Sequence, residues 1–274
     1  MVFISGCYPA SEPPRRTRIT RTLPALATAL ALTLQGPTCG AMQTAATAHD
    51  KLVTAAMSLR YLARHTQARD CWLYMDQRYG RYCVKPLRSQ WVERSGIRQL
   101  YLLTAGEPIT ADDRSEDLPA HALPGLVGAF ALVATADGAP KFLAATDAFM
   151  YGSFGDSGAS TARLIQIGAG DYYGWIFSSG GTWQGISVGW HHILAPHGRR
   201  FVDLSAIPTM RESDQDHRYT ISYDRASSAG RVYPLTVTKL AQPRGAEVAH
   251  FLVPFNFRTW RYELPPAASV GGKL

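Results

Sequence analysis

The chain after residue 49 opens with apolar positions that recur at a helical period. Between Asp50 and Asp70, Leu52, Ala56 and Leu59 lie three or four residues apart, and Asp50 can accept hydrogen bonds from the first N–H groups of a helix. The spacing therefore predicts one amphipathic helix over residues 50–70. We expect its apolar stripe to cover the open face of a sheet.

After residue 70 the pattern changes to short runs in which every second position is apolar, which is the period of a β-strand. The predicted strands are residues 71–75, 90–93, 98–104, 126–135, 141–145, 162–167, 172–177, 182–193, 218–223, 233–239 and 248–257. This order predicts an α+β fold that is mainly antiparallel β, arranged as a sandwich or strongly bent sheet. The N-terminal amphipathic helix is expected to pack on it.

The composition agrees with this architecture, because 24 glycines and 17 prolines favour short strands joined by turns over a helical bundle. We find no repeat and no clear linker, which predicts a single domain over residues 42–274 with a polar loop at 107–120 and a loose tail from about residue 264. Basic residues are scattered among acidic ones despite the net charge of +7, so we expect no nucleic-acid partner.

The N-terminus has the anatomy of a secretory signal. Four arginines precede the apolar run "LPALATALALTL", and small residues follow it. We predict a signal peptide over residues 1–41 with cleavage after Ala41, or alternatively after Ala48. The apolar run is shorter than the ~20 residues that a transmembrane helix needs, so the mature chain is expected to lack such an anchor. An exported bacterial-type protein, periplasmic or secreted, is the resulting interpretation, with lipidation of Cys39 as a less favoured alternative.

The cysteines support export. Cys7 and Cys39 fall in the predicted leader, which leaves Cys71 and Cys83 as the pair in the mature chain. An even pair in an oxidising compartment predicts a disulfide, here across a hairpin that reverses near Gly80. The Cys-x-x-Cys spacing typical of metal or redox pairs is absent.

The segment "YGSFGDSGAS" contains the Gly-Asp-Ser-Gly sequence that surrounds the nucleophile of trypsin-like proteases. The match ends at Ala159, and none of the upstream histidines of the mature chain lies in the segment that supplies the base in those enzymes. Gly155, Asp156 and Gly158 are typical of a tight turn. We therefore interpret Ser157 as a turn residue, and predict no catalytic residue from the sequence.

A glycine-rich aromatic hairpin over residues 171–198 is the densest feature of the chain. We predict a turn at Ser178–Gly181, with aromatic residues alternating along both strands. Such pairs first of all fill a sheet surface. If one face stayed open, it would form a ligand platform, for which the candidate residues are Tyr173, Trp175, Trp183, Gln184, Trp190, His191 and His192.

Two groups of residues raise the question of a metal. His191 and His192 are adjacent in a predicted strand and point to opposite faces, so they cannot bind one ion without a bulge, and structural roles for them and for His197 are favoured over a zinc site. Glu212, Asp214 and Asp216 occupy alternate positions and are candidate calcium ligands, although the EF-hand spacing is missing and a solvated polar turn is the favoured alternative. No other cofactor is predicted.

No nucleophile, base and orienting group can be assembled from the sequence. We therefore expect a non-catalytic extracytoplasmic binding or accessory protein whose aromatic hairpin contacts a saccharide, peptide or protein. One alternative is a secreted hydrolase in which Ser157 or Asp156 meets one of the three hairpin histidines. Another is a peripheral membrane-surface protein that uses the basic side of the predicted helix, where Arg60, Arg64 and Arg69 lie.

Overall fold

The computed structural model describes residues 39–62, 65–66, 69–109, 122–223 and 231–265, and side chains from Ala48 onward except those of 65–66 and Trp183. The described elements are α1 (Cys39–Arg60), β1 (His65–Thr66), β2 (Cys71–Asp76), β3 (Gly80–Arg94), β4 (Ile97–Ile109), β5 (Gly125–Ala134), β6 (Pro140–Tyr151), β7 (Arg163–Gly168), β8 (Tyr172–Trp183), β9 (Ile186–His197), β10 (Arg200–Asp203), β11 (Pro208–Met210), β12 (His217–Tyr223), β13 (Leu235–Ala241) and β14 (Glu247–Val253). The predicted leader up to residue 38, most of the predicted 107–120 loop and the tail beyond residue 265 lie outside the described residues.

The strands form three antiparallel sheets, which confirms the predicted fold class. The first sheet is a meander in the order β1-β2-β3-β4-β5-β6, and the second has the order β10-β9-β8-β7, with β11 pairing to β9. The third sheet is β12-β13-β14. Part of this architecture is a strongly curled half-barrel.

The helix packs on the first sheet, as predicted, but its limits differ from the prediction. Helix α1 ends at Arg60 because His65–Thr66 already pair with β2. Its buried face comprises Leu52, Val53, Ala56 and Met57, and Tyr61, directly after the helix, is buried in the same core. Leu59, which the helical period placed in the apolar stripe, is 65% exposed, so this part of the prediction is wrong.

Cys71 and Cys83 form the predicted disulfide, with their Cα atoms 5.5 Å apart. They lie diagonally across the β2–β3 hairpin, since Cys83 is paired with Leu73. The hairpin reverses where the Asp76 carboxylate accepts hydrogen bonds from two backbone N–H groups and Gly80 has a φ of +83°. The expected position of the crosslink and of the reversal is confirmed.

The part of the second sheet that is away from the β8–β9 turn is covered on both faces. On one face Trp175, Phe177 and Leu194 share a core with residues of the first sheet, including Tyr101 and Leu103. On the other face, Ile176 and Ile193 pack with residues of the third sheet. Buried polar side chains in this layer are stabilised mainly by protein partners, although the described residues provide none for the Trp175 indole N–H. Within the described ranges, α1 lacks the length of apolar sequence needed to cross a bilayer.

Candidate functional site

The hairpin of β8 and β9 turns at Gln184–Gly185, so the predicted turn at Ser178–Gly181 is wrong. Both turn residues have positive φ, +51° and +83°, as a two-residue type I′ turn requires. Ser178–Gly181 instead continue β8. Gly180 is needed there because a Cβ would lie 2.5 Å from the Val188 carbonyl oxygen, so the glycine serves the close approach of two strands and not a reversal.

This register brings two serines of β8 within hydrogen-bond distance of two histidines of β9. Ser178 pairs with His191, Ser179 with Trp190, and Phe177 with His192. Because neighbouring residues of a strand face opposite sides, His191 and His192 reach different partners, as expected from the sequence. Each side of the sheet thus carries its own serine–histidine pair.

On the face toward the first sheet, His192 connects a serine to a carboxylate. Its Nε2 lies 2.7 Å from Ser179 Oγ, and its Nδ1 lies 2.7 Å from Asp203 Oδ2. A carboxylate only accepts, so Nδ1 carries the proton and Nε2 of the neutral ring accepts from the Ser179 hydroxyl. The three side chains come from β8, β9 and β10 and form one continuous chain of hydrogen bonds.

The Asp203 carboxylate is held by further donors. The Tyr151 hydroxyl donates to Oδ2 at 3.0 Å, and the N–H groups of Ile193 and Ser205 donate to Oδ1 at 3.1 Å each. Burial, with the neighbouring Asp203 charge second, raises the pKa of Tyr151 well above its usual value, so the phenol stays protonated and remains a donor. The carboxylate is therefore fixed in position toward His192.

On the opposite face, His191 has a different environment. Its Nε2 donates to the Tyr219 carbonyl oxygen at 2.8 Å, so Nδ1 accepts from Ser178 Oγ at 2.9 Å. Burial lowers the pKa of His191, with the hydrogen bond to Tyr219 opposing that effect. This pair has a carbonyl where the first pair has a carboxylate.

The Gly-Asp-Ser-Gly segment is a turn, as predicted, and it packs on the two serines of β8. Asp156 Oδ1 accepts a hydrogen bond from Gly158 N at 2.8 Å, and the Ser157 hydroxyl accepts one from Ala159 N at 3.4 Å. Gly158 has a φ of +71°, and a Cβ there would lie 2.2 Å from the Ser178 carbonyl oxygen. The Ser157 hydroxyl is therefore engaged within its own turn. On the face of β8 toward the first sheet, His192 contacts Ser179.

Two neighbouring concave surfaces open beside this network. The first, which we call the serine cavity, has a volume of about 500 Å³ and is lined by Asp156, Gly158, Ser178, Ser179, Gly180, Gly181, Thr182, Ser187, Val188, Gly189, Thr209 and Met210. The second, which we call the Trp190 groove, has a volume of about 800 Å³ and is lined by Val188, Trp190, Ala206, Pro208, Met210, Arg211, Glu212, Ser213, Glu263 and Leu264. Val188 and Met210 form a wall shared by both.

The residues of the predicted ligand platform lie in different environments and do not form one surface. Trp175 is only 2% exposed and belongs to the core, and Tyr173 is half-buried with its ring 6.2 Å from that of Tyr101. Gln184 is exposed at the tip of the hairpin, and the side chain of Trp183 lies outside the described residues. Trp190 is 45% exposed and lines the groove.

The three predicted calcium ligands also lie in different surroundings. Glu212 is at the rim of the Trp190 groove, and Asp216 is exposed. Asp214 Oδ2 lies 2.8 Å from Lys239 Nζ, and Oδ1 contacts His217. Burial would raise the pKa of Asp214, but these two partners outweigh it and hold the pKa below its usual value. No three metal-ligating side chains converge within the described residues. Calcium binding at this turn stays a prediction.

Sequence reasoning missed Ser179, Asp203 and Tyr151. The available signal was Gln184-Gly185, a residue pair suited to a type I′ turn, because a reversal there fixes the register that places Ser179 beside His192. Comparison of the chain with family models, with curated proteins and with solved structures finds no match. The residues and their geometry are therefore the basis for a functional proposal.

Proposed function

We propose that this chain is an exported binding protein whose Trp190 groove takes an extended peptide with an apolar side chain next to a basic one. The observation that carries the proposal is the indole of Trp190, which is 45% exposed in a concave surface of about 800 Å³. Clefts of that size with an aromatic anchor are typical of ligand sites. The disulfide and the absence of a spanning helix among the described residues are compatible with a location outside the cytoplasm.

The floor of the groove suits an apolar side chain. Pro208 of β11 pairs directly with Trp190, and Val188, Ala206, Met210 and Leu264 complete the apolar lining. Methionine adapts its shape to different apolar groups, and tryptophan is enriched among residues that dominate binding energy. An apolar anchor seated here would be removed from water on several sides.

The rim of the groove favours a positive charge on the ligand. Glu212 and Glu263 are both exposed there, whereas the Arg211 guanidinium lies over the Tyr219 ring at 5.3 Å from its centre. The two carboxylates outnumber the single arginine, so a lysine or arginine beside the apolar anchor would be attracted. A peptide supplies both groups on adjacent residues.

A displayed library of random peptides, selected on the oxidised protein, tests this proposal. We expect the selected peptides to carry an apolar residue beside Lys or Arg, and the Trp190→Ala variant to weaken their binding at least about tenfold in calorimetry. Glu212→Gln combined with Glu263→Gln should weaken binding by a few-fold and reduce its dependence on salt, since rim charges are screened.

The matched control is Phe257→Ala, which removes a 52% exposed aromatic side chain that does not line the groove. It should leave the affinity unchanged. Selected peptides that bind Trp190→Ala as tightly as the original protein would contradict the proposal. Binding of saccharides alone in a parallel glycan panel would overturn the peptide assignment in favour of the other ligand class.

A further inference from the structure

We propose that Ser179 is a nucleophile for acyl transfer from small esters that enter the serine cavity, with His192 as general base and Asp203 as the residue that positions it. This activity goes beyond binding and does not depend on a peptide in the Trp190 groove. It also differs from the hydrolase considered from the sequence, because the serine is in β8 and not in the Gly-Asp-Ser-Gly turn.

The order of atoms is the first argument. A hydroxyl, an imidazole and a carboxylate are joined by two contacts of 2.7 Å, and the imidazole uses Nε2 toward the serine and Nδ1 toward the aspartate. That is the arrangement in which a histidine can take the hydroxyl proton while the carboxylate stabilises the imidazolium that forms. A serine hydroxyl is a weak nucleophile without such a base.

The imidazole is held in place by its surroundings. Its centroid lies 3.9 Å from that of Tyr151 and 5.1 Å from that of Phe177, and the residue is 6% exposed. The Tyr151 ring that packs on the imidazole also donates to the carboxylate. Because ring and carboxylate are both fixed, little reorganisation is needed when charge develops.

Access to Ser179 comes from the serine cavity. Although Ser179 is 7% exposed, it lines that cavity of about 500 Å³ together with the glycines of β8. Short-chain esters fit this volume, while bulky acyl groups would meet the wall formed by Val188 and Met210. The substrate class is therefore an ester with a small acyl group.

One backbone donor for an oxyanion lies at the edge of β8. The β7 pairing reaches only Ile176, so beyond it the described chain provides no strand on that edge. The Ser178 carbonyl faces this edge, where Gly158 lies against it. By strand alternation the Gly180 N–H points the same way. The N–H of the residue after a nucleophile is a recurrent oxyanion donor.

The proposed reaction consumes the ester and one water molecule and needs no other reactant. Ser179 Oγ bonds to the ester carbonyl carbon as its proton passes to His192 Nε2, and the carbonyl π electrons move to oxygen. The C–O bond to the alcohol breaks as that proton passes to the leaving oxygen. Water then attacks the acyl-serine, gives one proton to Nε2, and releases the carboxylic acid as the proton returns to Ser179 Oγ.

The serine–histidine pair on the opposite face of β8 lacks one part of this arrangement. Ser178 also donates to a histidine, but His191 hydrogen-bonds a backbone carbonyl at 2.8 Å instead of a carboxylate. A carbonyl stabilises an imidazolium less than a carboxylate does. Ser178 therefore lies in the same strand as Ser179 and also has a histidine partner, but its histidine does not contact a carboxylate.

The test treats the full-length oxidised protein with phenylmethanesulfonyl fluoride and with p-nitrophenyl acetate, both small enough for the serine cavity. We expect sulfonylation at Ser179, located by peptide mass spectrometry, and hydrolysis of the acetate. Ser179→Ala should abolish labelling and reduce hydrolysis at least about 100-fold. The matched control is Ser89→Ala, because Ser89 is exposed on β3, does not line the serine cavity and has its hydroxyl 2.8 Å from His49 Nε2; it should change the rate less than about threefold. Asp203→Asn should reduce the rate strongly by favouring the wrong tautomer of His192.

Thermal unfolding of each variant shows whether it remains folded. Labelling of the unsubstituted protein needs no variant, so a variant that unfolds does not remove the test. An absence of label on Ser179 in the folded, unsubstituted protein would overturn the proposal and assign the three residues to structural stabilisation. Equal loss of hydrolysis in Ser89→Ala and Ser179→Ala would overturn it as well. Neither result affects peptide binding in the Trp190 groove.

Discussion

Replacing Gly158 with alanine should destabilise the protein more than the same replacement at Gly138. Gly158 has a φ of +71° and packs on β8, where a Cβ would lie 2.2 Å from the Ser178 carbonyl oxygen and 3.0 Å from the Ser179 Cα. Gly138 has a similar φ of +82° but no atom within 4 Å of the added Cβ. The pair separates the cost of the backbone conformation from the cost of the contact.

The magnitude follows from these two terms. A left-handed conformation costs an L-residue about 1–2 kcal/mol, which both variants lose. The clash at Gly158 involves backbone atoms, which cannot rotate away, and overpacking of that kind costs roughly 1–3 kcal/mol more. In a chain of this size each kcal/mol lowers the melting temperature by about 2–4 °C. Gly158→Ala should therefore melt several degrees below Gly138→Ala.

Urea unfolding and differential scanning calorimetry of the oxidised proteins measure the difference. Equal melting temperatures and equal free energies of unfolding for the two variants would refute the reasoning. That result would mean that the Gly-Asp-Ser-Gly turn is not seated on Ser178 and Ser179, and the boundary of the serine cavity would have to be drawn differently.

Two further predictions concern buried hydrogen bonds. Tyr61→Phe should lower the free energy of unfolding by about 1–3 kcal/mol in urea titration. The Tyr61 hydroxyl lies in the helix-covered core, 2.7 Å from Thr104 Oγ1 and 2.9 Å from the Asp147 carbonyl oxygen. An unchanged free energy of unfolding would contradict the docking of α1. The depressed pKa of His191 makes the unfolded chain bind the proton more readily, so its contribution to stability is present above pH 6.5 and is lost as the pH falls below 6.5. His191→Gln should have a shallower loss of stability between about pH 7 and 5 than the original protein, and identical slopes would contradict the assignment.

The sequence was sufficient for the features that depend on local pattern. Most of the period-two strands, the Cys71–Cys83 crosslink and the turn around Asp156 follow from alternation, cysteine pairing and turn chemistry, and the structure has them. The predicted strand 182–193 is wrong, because the chain reverses within it at Gln184–Gly185. The sequence was not sufficient for the limits of α1, since the pairing of His65–Thr66 with β2 ends a helix that the apolar spacing would extend.

Prediction of the candidate site required knowing whether Gly180 and Gly181 form a turn or continue a strand, and the local sequence pattern does not decide this. Gly180 and Gly181 suit either a turn or the close approach of two strands, and only the packing of β8 against β9 decides between them. Asp203 comes from the short strand β10, which has no clear alternation of its own. The network of Ser179, His192 and Asp203 is a product of register across three strands.

The register of β8 and β9 is the point on which the placement of Ser179 beside His192 depends, and a cysteine crosslink measures it directly. Thr182 and Ser187 are paired, with their hydroxyl oxygens 2.8 Å apart. Thr182→Cys with Ser187→Cys should form an intramolecular disulfide, seen in the mass of non-reduced peptides, and Thr182→Cys with Val188→Cys, on opposite faces, should not. Failure of the 182–187 pair to crosslink would contradict a turn at Gln184–Gly185, and with it the placement of Ser179 beside His192.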